Sequence, residues 1–123
     1  MNTILITGIN GYLGSNLAES LSKDNHIIGL EYSLHNLDRI EGYNFKVYSV
    51  ENGLPNELFT ENHINTIIHT ATFYGRQNEE VKTIANANLF IPFNLLDKAI
   101  ENGCSTFNLC HGEIWRKNKI SFC

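Results

Sequence analysis

The chain has 123 residues and a formal net charge of −4 at pH 7. That length suits one domain, which buries roughly two-thirds of its unfolded surface. The negative charge gives no reason to expect a nucleic-acid partner. We expect no membrane span, because no apolar run approaches ~20 residues, and no signal peptide, because the chain begins directly with a strand. The three cysteines, odd in number and without metal-ligand spacing, favour a reducing cytoplasmic compartment.

Apolar strand-like runs alternate with helix-like stretches along most of the chain. The predicted strands lie near residues 2–7, 26–31, 45–50, 64–71 and 105–110, and the helical stretches near 13–23, 34–41, after Pro55 and at 79–102. This alternation predicts an α/β fold, a doubly wound, Rossmann-like parallel sheet of five strands in the order 3-2-1-4-5 with helices on both faces. Pro92 lies inside the last helix and predicts a kink or a local irregularity there.

The last residues do not continue this alternation. Residues 1–110 form the predicted dinucleotide-binding domain, and residues 111–123 read as an unpatterned tail with neither a strand nor an amphipathic helix. The sixth strand of the full dinucleotide-binding fold is therefore not predicted. We expect strand five to be an uncovered edge, with exposed apolar surface and association into a homo-oligomer as consequences.

A run of regularly spaced glycines follows the first strand. It reads Thr-Gly-Ile-Asn-Gly-Tyr-Leu-Gly over residues 7–14, and a helical pattern begins at once. The first glycine permits a tight turn, the second lets the backbone approach phosphate, and the third lets the helix pack closely. The helix then directs its free N–H groups and positive dipole end at the anion. The predicted cofactor contacts are Gly8, Asn10, Gly11, Tyr12, Leu13 and Gly14; the alternative is a glycine-rich turn without a ligand.

An acidic residue ends the second predicted strand. Glu31 lies seventeen residues after Gly14 (31 − 14), and no arginine adjoins it, the next one being Arg39. A carboxylate near this distance accepts hydrogen bonds from the adenosine ribose and repels a 2′-phosphate. This favours NAD over NADP, although a solvated carboxylate at a strand end is the alternative.

Further candidates follow the fourth strand. Thr70 and Ala71 are small, so a cofactor can lie across the strand end, while His69 is either a base or, as we favour, a hydrogen-bonded structural histidine. Asn88 is either a brace for a loop of the cofactor site or an exposed amide. Arg76, in the same loop as Tyr74, binds a phosphate or substrate or is simply solvated. His111 and Glu113 lack a third partner, so we predict no metal site.

Four motifs in order resemble the extended short-chain dehydrogenase/reductase family, the NAD-dependent epimerase/dehydratases. They are T-G-x-x-G-x-x-G at residues 7–14, the acidic residue at 31, a hydrophobic-H-x-A segment at 68–71, and N-x-x-x-x-x-N-L-L at 88–96. The resemblance covers about residues 1–107. Residues 67–75 and parts of 87–97 look most like CDP-abequose or CDP-paratose synthase. Such enzymes reduce a 4-keto CDP-dideoxysugar for bacterial O-antigen, which implies an NAD(P)-dependent enzyme of nucleotide sugars.

The departures from this family concern its catalytic parts. No tyrosine is followed four residues later by lysine, so the Tyr-x-x-x-Lys pair of the family is missing. Residues 107–110 depart from its Ser/Thr pattern, and its C-terminal substrate lobe is absent. We therefore assign no catalytic residue. We expect the cofactor part of such an enzyme, truncated or frameshifted and inactive alone, with the nucleotide sugar bound only by the full-length enzyme. The alternative is a non-catalytic dinucleotide-binding module or gene remnant.

Overall fold

A computed structural model describes residues 1–71, 80–109, 116–117 and 120–122. The strands are β1 (Thr3–Thr7), β2 (His26–Glu31), β3 (Lys46–Ser49), β4 (Thr66–His69), β5 (Thr106–Leu109), β6 (Arg116–Lys117) and β7 (Ile120–Phe122). The helices are α1 (Tyr12–Leu21), α2 (Glu57–Thr60), α3 (Val81–Ala85) and α4 (Ile91–Glu101), with a 3-10 turn at Asp38–Ile40 and a π turn at Asn86–Phe90. Strands and helices thus alternate as predicted.

The first five strands form the predicted parallel sheet. Its full order is β3-β2-β1-β4-β5-β7-β6, and every pair among β1 to β5 is parallel. The order 3-2-1-4-5 is therefore confirmed. In this register Thr7 lies opposite Leu30 on β2 and opposite His69 on β4. The carboxyl ends of β1, β2 and β4 consequently meet at one edge of the sheet, where ligands bind in folds of this type.

The tail does not leave β5 as the edge strand. β7 pairs in parallel with β5, from Phe107 opposite Ile120 to Leu109 opposite Phe122, and β6 pairs antiparallel with β7. The predictions of an unpatterned tail and of an uncovered fifth strand are therefore wrong. An exposed strand offers unpaired N–H and C=O groups that any short extended segment can pair with. The domain boundary predicted at residue 110 falls outside the described residues.

The core lies on both faces of the sheet, as two clusters of buried side chains. Neighbouring residues of β1 belong to different clusters, because side chains alternate across a strand. Leu5 packs with Leu95 and Ala99 of α4, whereas Ile6 packs with Ala18 of α1. Helices therefore cover both faces, as the doubly wound fold requires.

The helical segment from α3 to α4 is irregular where the sequence places its proline. The π turn directly precedes α4, and Pro92 lies in the first turn of α4. Pro92 has no N–H to donate to the carbonyl of Asn88, four residues earlier, so the regular α-helical pattern is interrupted. The predicted irregularity is confirmed.

Exposed apolar side chains lie on this helical segment. They are Val81, Leu89, Phe90, Phe93 and Ile100, each at least half exposed. The expected exposed apolar surface is therefore present, but it is on the helices. Within the described ranges, none of the helices has the length and apolar character needed to cross a membrane.

Candidate functional site

The first part of the site is a tight turn between β1 and α1. Gly8 has a φ of +67°, a conformation that favours glycine, and its N–H donates to the Leu30 carbonyl at 2.8 Å. The Gly11 N–H then donates to the Gly8 carbonyl at 2.9 Å, and α1 begins at Tyr12. The first N–H groups of a helix have no partner within it, and Gly11 has no side chain to cap them. Gly11, Tyr12 and Leu13 are all exposed, so a ligand at the surface can reach these donors.

Close backbone contacts explain two of the glycines. A Cβ on Gly14 would lie 2.1 Å from the Gly8 carbonyl oxygen, so α1 packs directly on the turn. A Cβ on Gly8 would lie 2.9 Å from the Thr70 hydroxyl and 3.0 Å from the Ala71 backbone. The turn is therefore pressed against the end of β4. This brings together three of the predicted site residues, Gly8, Thr70 and Ala71.

Gly29, within β2, is a supporting residue that the sequence analysis missed. A Cβ there would lie 2.6 Å from the Ile9 side chain and 3.1 Å from that of Val47. Gly29 thus makes room for Ile9, which is fully buried beneath the glycine turn. A glycine inside a strand pattern, which often marks a close approach, was the available signal.

Buried hydrogen bonds join the ends of β1 and β4. The Thr7 hydroxyl lies 2.7 Å from His69 Nδ1 and accepts the N–H groups of Thr70 at 3.1 Å and Ala71 at 3.3 Å. In turn, the Thr70 hydroxyl donates to the Thr7 carbonyl at 2.6 Å. His69 is 1% exposed, so its interpretation as a hydrogen-bonded structural histidine is confirmed. Thr7 itself was not among the predicted site residues.

The same contacts assign the proton of His69. The two lone pairs of the Thr7 hydroxyl accept two backbone N–H groups, so its single proton remains for His69 Nδ1. With Nδ1 as the acceptor, the ring proton lies on Nε2. In this tautomer His69 is a buried hydrogen-bond acceptor at the ends of β1 and β4.

Glu31 ends β2 beside the glycine turn. One of its carboxylate oxygens accepts the Asn10 N–H at 2.7 Å, and the side chain is half-buried. Burial raises the pKa of Glu31 above its ordinary value, and the N–H groups of Asn10 and Tyr32 counteract part of that rise. A carboxylate has about four acceptor positions, so its two oxygens retain capacity for further donors such as sugar hydroxyls. Glu31 is therefore not merely a solvated carboxylate.

The remaining predicted residues divide into two groups. Asn88 lies half-buried in the π turn, so it is not a fully exposed amide, and its contribution to the site stays a prediction. Tyr74, Arg76, His111 and Glu113 lie outside the described residues. Among the residues that are described, no group of three His, Cys, Asp or Glu side chains could hold a metal ion.

The arrangement as a whole suits a ligand that carries both phosphate and vicinal hydroxyl groups. Uncapped N–H groups at the start of α1 attract an anion, and the Glu31 carboxylate beside them accepts from hydroxyls. Thr70 and Ala71 border the same turn with small side chains. These groups are suited to binding and orienting such a ligand.

Comparison with known proteins found a matching family model and a related curated enzyme. The model of the NAD dependent epimerase/dehydratase family matches residues 4–112. CDP-abequose synthase of Salmonella typhimurium is 26% identical over 107 residues, which cover 85% of this chain and 36% of that protein. The chain thus spans little more than a third of the length of this curated relative.

Solved structures share the fold. The Bordetella bronchiseptica enzyme WbmH, in complex with NAD⁺, superposes with a TM-score of 0.76 at 21% identity, covering 90% of this chain and 39% of that one. The enzyme WbmG of the same organism, in complex with NAD and UDP, gives a TM-score of 0.76 at 22% identity, covering 88% and 37%. At these identities the likeness establishes the architecture.

Proposed function

We propose that this chain, which belongs to the NAD-dependent epimerase/dehydratase family, forms the NAD-binding part of a nucleotide-sugar oxidoreductase or epimerase. The family predicted from the four sequence motifs is thus confirmed, and the cofactor role is built on it. The observation that carries the proposal is the uncapped start of α1 on the glycine turn, with the Glu31 carboxylate bonded to that same turn.

Each part of this site suits one part of the dinucleotide. The backbone at residues 10–13 would face the pyrophosphate, since Gly11 presents no side chain there. The N–H groups of Tyr12 and Leu13 would bind it, because those of Asn10 and Gly11 already donate to Glu31 and Gly8. Glu31 would accept the adenosine ribose hydroxyls, and Thr70 and Ala71 would border the cofactor at the end of β4. When bound, NAD supplies the hydride acceptor or donor. The chain's own residues bind and orient it, with Asn88 proposed as a more distant brace.

The choice of NAD over NADP rests on charge. The Glu31 carboxylate would repel a 2′-phosphate that approached it. Because Glu31 is half-buried, this repulsion is screened less than it would be at a fully exposed carboxylate. The two structural relatives described above were both solved with NAD. NAD(H) is therefore the proposed cofactor.

Calorimetric titration tests this proposal directly. We expect NAD to bind and NADP to bind at least about tenfold more weakly, because the Coulomb repulsion at Glu31 opposes the extra phosphate. Gly11→Asp should abolish NAD binding, since it places bulk and negative charge where the pyrophosphate would lie. Gly42→Asp is the matched control, because a side chain at Gly42 meets no atom within 4 Å. A folded sample that binds neither dinucleotide, or prefers NADP, contradicts the proposal.

The activity belongs to the same proposal. The relationship to CDP-abequose synthase supports a nucleotide sugar, such as a 4-keto CDP-sugar, as the substrate of a full-length enzyme. A non-catalytic binding module is the second candidate, because no tyrosine in the 123 residues has lysine four positions later. Three further points complete the proposal. The three cysteines support a cytoplasmic location, and the exposed apolar side chains support a homo-oligomer. The net negative charge supports the lack of a nucleic-acid partner.

Turnover by the purified chain tests the inactivity that both candidates imply for this chain alone. We expect no oxidation of NADH with 4-keto CDP- or dTDP-sugars, because a positioned acid or base contributes roughly 10²–10⁴ in rate and we assign none among the described residues. The measurement is the NADH absorbance over time, with enough NADH present to saturate the chain. Turnover that is lost in Tyr74→Phe would overturn this expectation and identify Tyr74 as the missing acid.

A further inference from the structure

The side chain of Asn10 joins the glycine turn to a segment beyond β2. Its amide nitrogen donates to the Asn36 carbonyl at 3.1 Å and to Asp38 Oδ1 at 3.0 Å, and its amide oxygen accepts the Arg39 N–H at 2.9 Å. Both N–H bonds and the carbonyl of one carboxamide are thus used on residues 36–39. We call these contacts the Asn10 clasp.

The clasp acts where the chain is otherwise exposed. Between Glu31 and the 3-10 turn at residues 38–40, Tyr32 is 40% exposed and Leu34 is 48% exposed, whereas Ile40 is buried. The loop is therefore anchored by Glu31 at its start and by Ile40 at its end. The Ser49 hydroxyl donates to the Tyr32 carbonyl at 2.7 Å, and Leu37 packs against the core cluster that contains Ile40. Asn10 adds a further attachment, on the side that faces the glycine turn.

The contacts require asparagine at this position. An aspartate would lose both donors and place a second carboxylate about 3 Å from that of Asp38, and an alanine would make none of the three bonds. Asp38 supports the same geometry, because the hydrogen bond from Asn10 lowers the pKa of its carboxyl group and keeps it an ionised acceptor.

We propose that Asn10 is a positioning residue, whose clasp holds residues 36–39 against the glycine turn and so preforms the adenosine side of the site. This rests on the proposed function, since the adenosine is what Glu31 would bring to that side. A loop that is ordered before binding spares the ligand the cost of ordering it. The backbone of Asn10, bonded to Glu31, and its side chain then shape the same wall of the site.

Amide hydrogen exchange in the ligand-free protein tests the clasp itself. In Asn10→Ala the Arg39 amide should exchange at least about tenfold faster, because it loses its acceptor. The amides of Ile28 and Leu30 in β2 should keep their wild-type rates. An unchanged Arg39 rate overturns the proposal, and so does an equal acceleration in β2, which would show general loosening of the fold.

An exchange of the two side chains provides a rescue. Asp38→Asn alone should keep the wild-type Arg39 rate, because an asparagine at 38 can still accept from Asn10. Asn10→Asp alone should accelerate exchange through repulsion between the two carboxylates. The double variant should restore part of the protection, since the aspartate at 10 then accepts from both the Arg39 N–H and the new amide at 38, whereas the bond to the Asn36 carbonyl stays lost. A double variant no better than Asn10→Asp contradicts the clasp.

Titration with NAD and with ADP tests the role toward the ligand. In Asn10→Ala both dissociation constants should rise by the same factor, roughly three- to tenfold, because only a fraction of the loop is then in the binding conformation. The thermal unfolding midpoint should stay near that of the wild type. If Asn10→Ala exchanges the Arg39 amide faster but binds NAD and ADP as tightly as the wild type, the positioning role alone is overturned. Failure of the wild type to bind NAD instead overturns the proposed function, and the exchange result shows which of the two has failed.

Discussion

Gly14→Ala should destabilise the protein strongly. The added Cβ would lie 2.1 Å from the Gly8 carbonyl oxygen, 2.8 Å from the Gly8 carbonyl carbon and 3.0 Å from Ile9 Cα. All three are backbone atoms, so no side chain can rotate away to relieve the contact. Gly8 cannot move easily either, because its N–H is bonded to Leu30 and its φ is already +67°. The helix α1 must therefore separate from the turn.

The size of the effect follows from what has to move. Overpacking that side chains can absorb costs about 1–3 kcal/mol, so a clash with backbone should lower the free energy of unfolding by at least about 3 kcal/mol. This is a large share of the 5–15 kcal/mol that is usual for a domain. Urea denaturation followed by circular dichroism measures it.

Gly42→Ala is the matched control for this prediction. A Cβ there meets nothing within 4 Å, and Gly42 is not among the glycines with positive φ. Its free energy of unfolding should stay within about 0.5 kcal/mol of the wild type. A Gly14→Ala protein as stable as this control would mean that α1 does not pack on the turn as described.

The sheet was predictable because its strands are long enough to carry a hydropathy pattern. β1, β2 and β4 are buried runs between turn signals, and the handedness of crossovers then restricts their order. β6 and β7 have only two and three residues, which is too short for any period to show. Their pairing depends on the open edge that β5 presents, a property of the folded sheet.

The site was predictable only as far as its motif extends. The three glycines and Glu31 occur at recognisable spacings, each with its own physical reason. By contrast, the Thr7 contact to His69 joins residues 62 positions apart, and the Asn10 clasp reaches 29 positions to Arg39. Such bonds follow from the register of β1 against β4 and from the path of the loop after β2. Propensity and spacing do not contain that information.

Thr7→Val should destabilise the protein much more than its small change in shape suggests. Valine matches threonine in size but lacks the hydroxyl that forms hydrogen bonds with His69 Nδ1, the Thr70 N–H and the Ala71 N–H. The Thr70 N–H keeps a second contact, 3.3 Å from the Thr7 carbonyl oxygen, so the main losses fall on the other two groups. An unsatisfied buried polar group costs about 1–3 kcal/mol. We expect the free energy of unfolding to fall by about 2–4 kcal/mol.

Thr7→Ser separates the hydroxyl from the methyl group. It keeps all three hydrogen bonds and loses one buried methyl, which costs roughly 0.8 kcal/mol. Valine should therefore be clearly less stable than serine in urea denaturation at pH 7, although serine is the smaller residue. Nitrogen chemical shifts of the His69 ring add a second readout. The wild type and Thr7→Ser should show an unprotonated Nδ1, because Nδ1 accepts a hydrogen bond from the hydroxyl at position 7. Thr7→Val should lose that preference. If valine proves as stable as serine with the same tautomer, then the hydroxyl does not join the ends of β1 and β4.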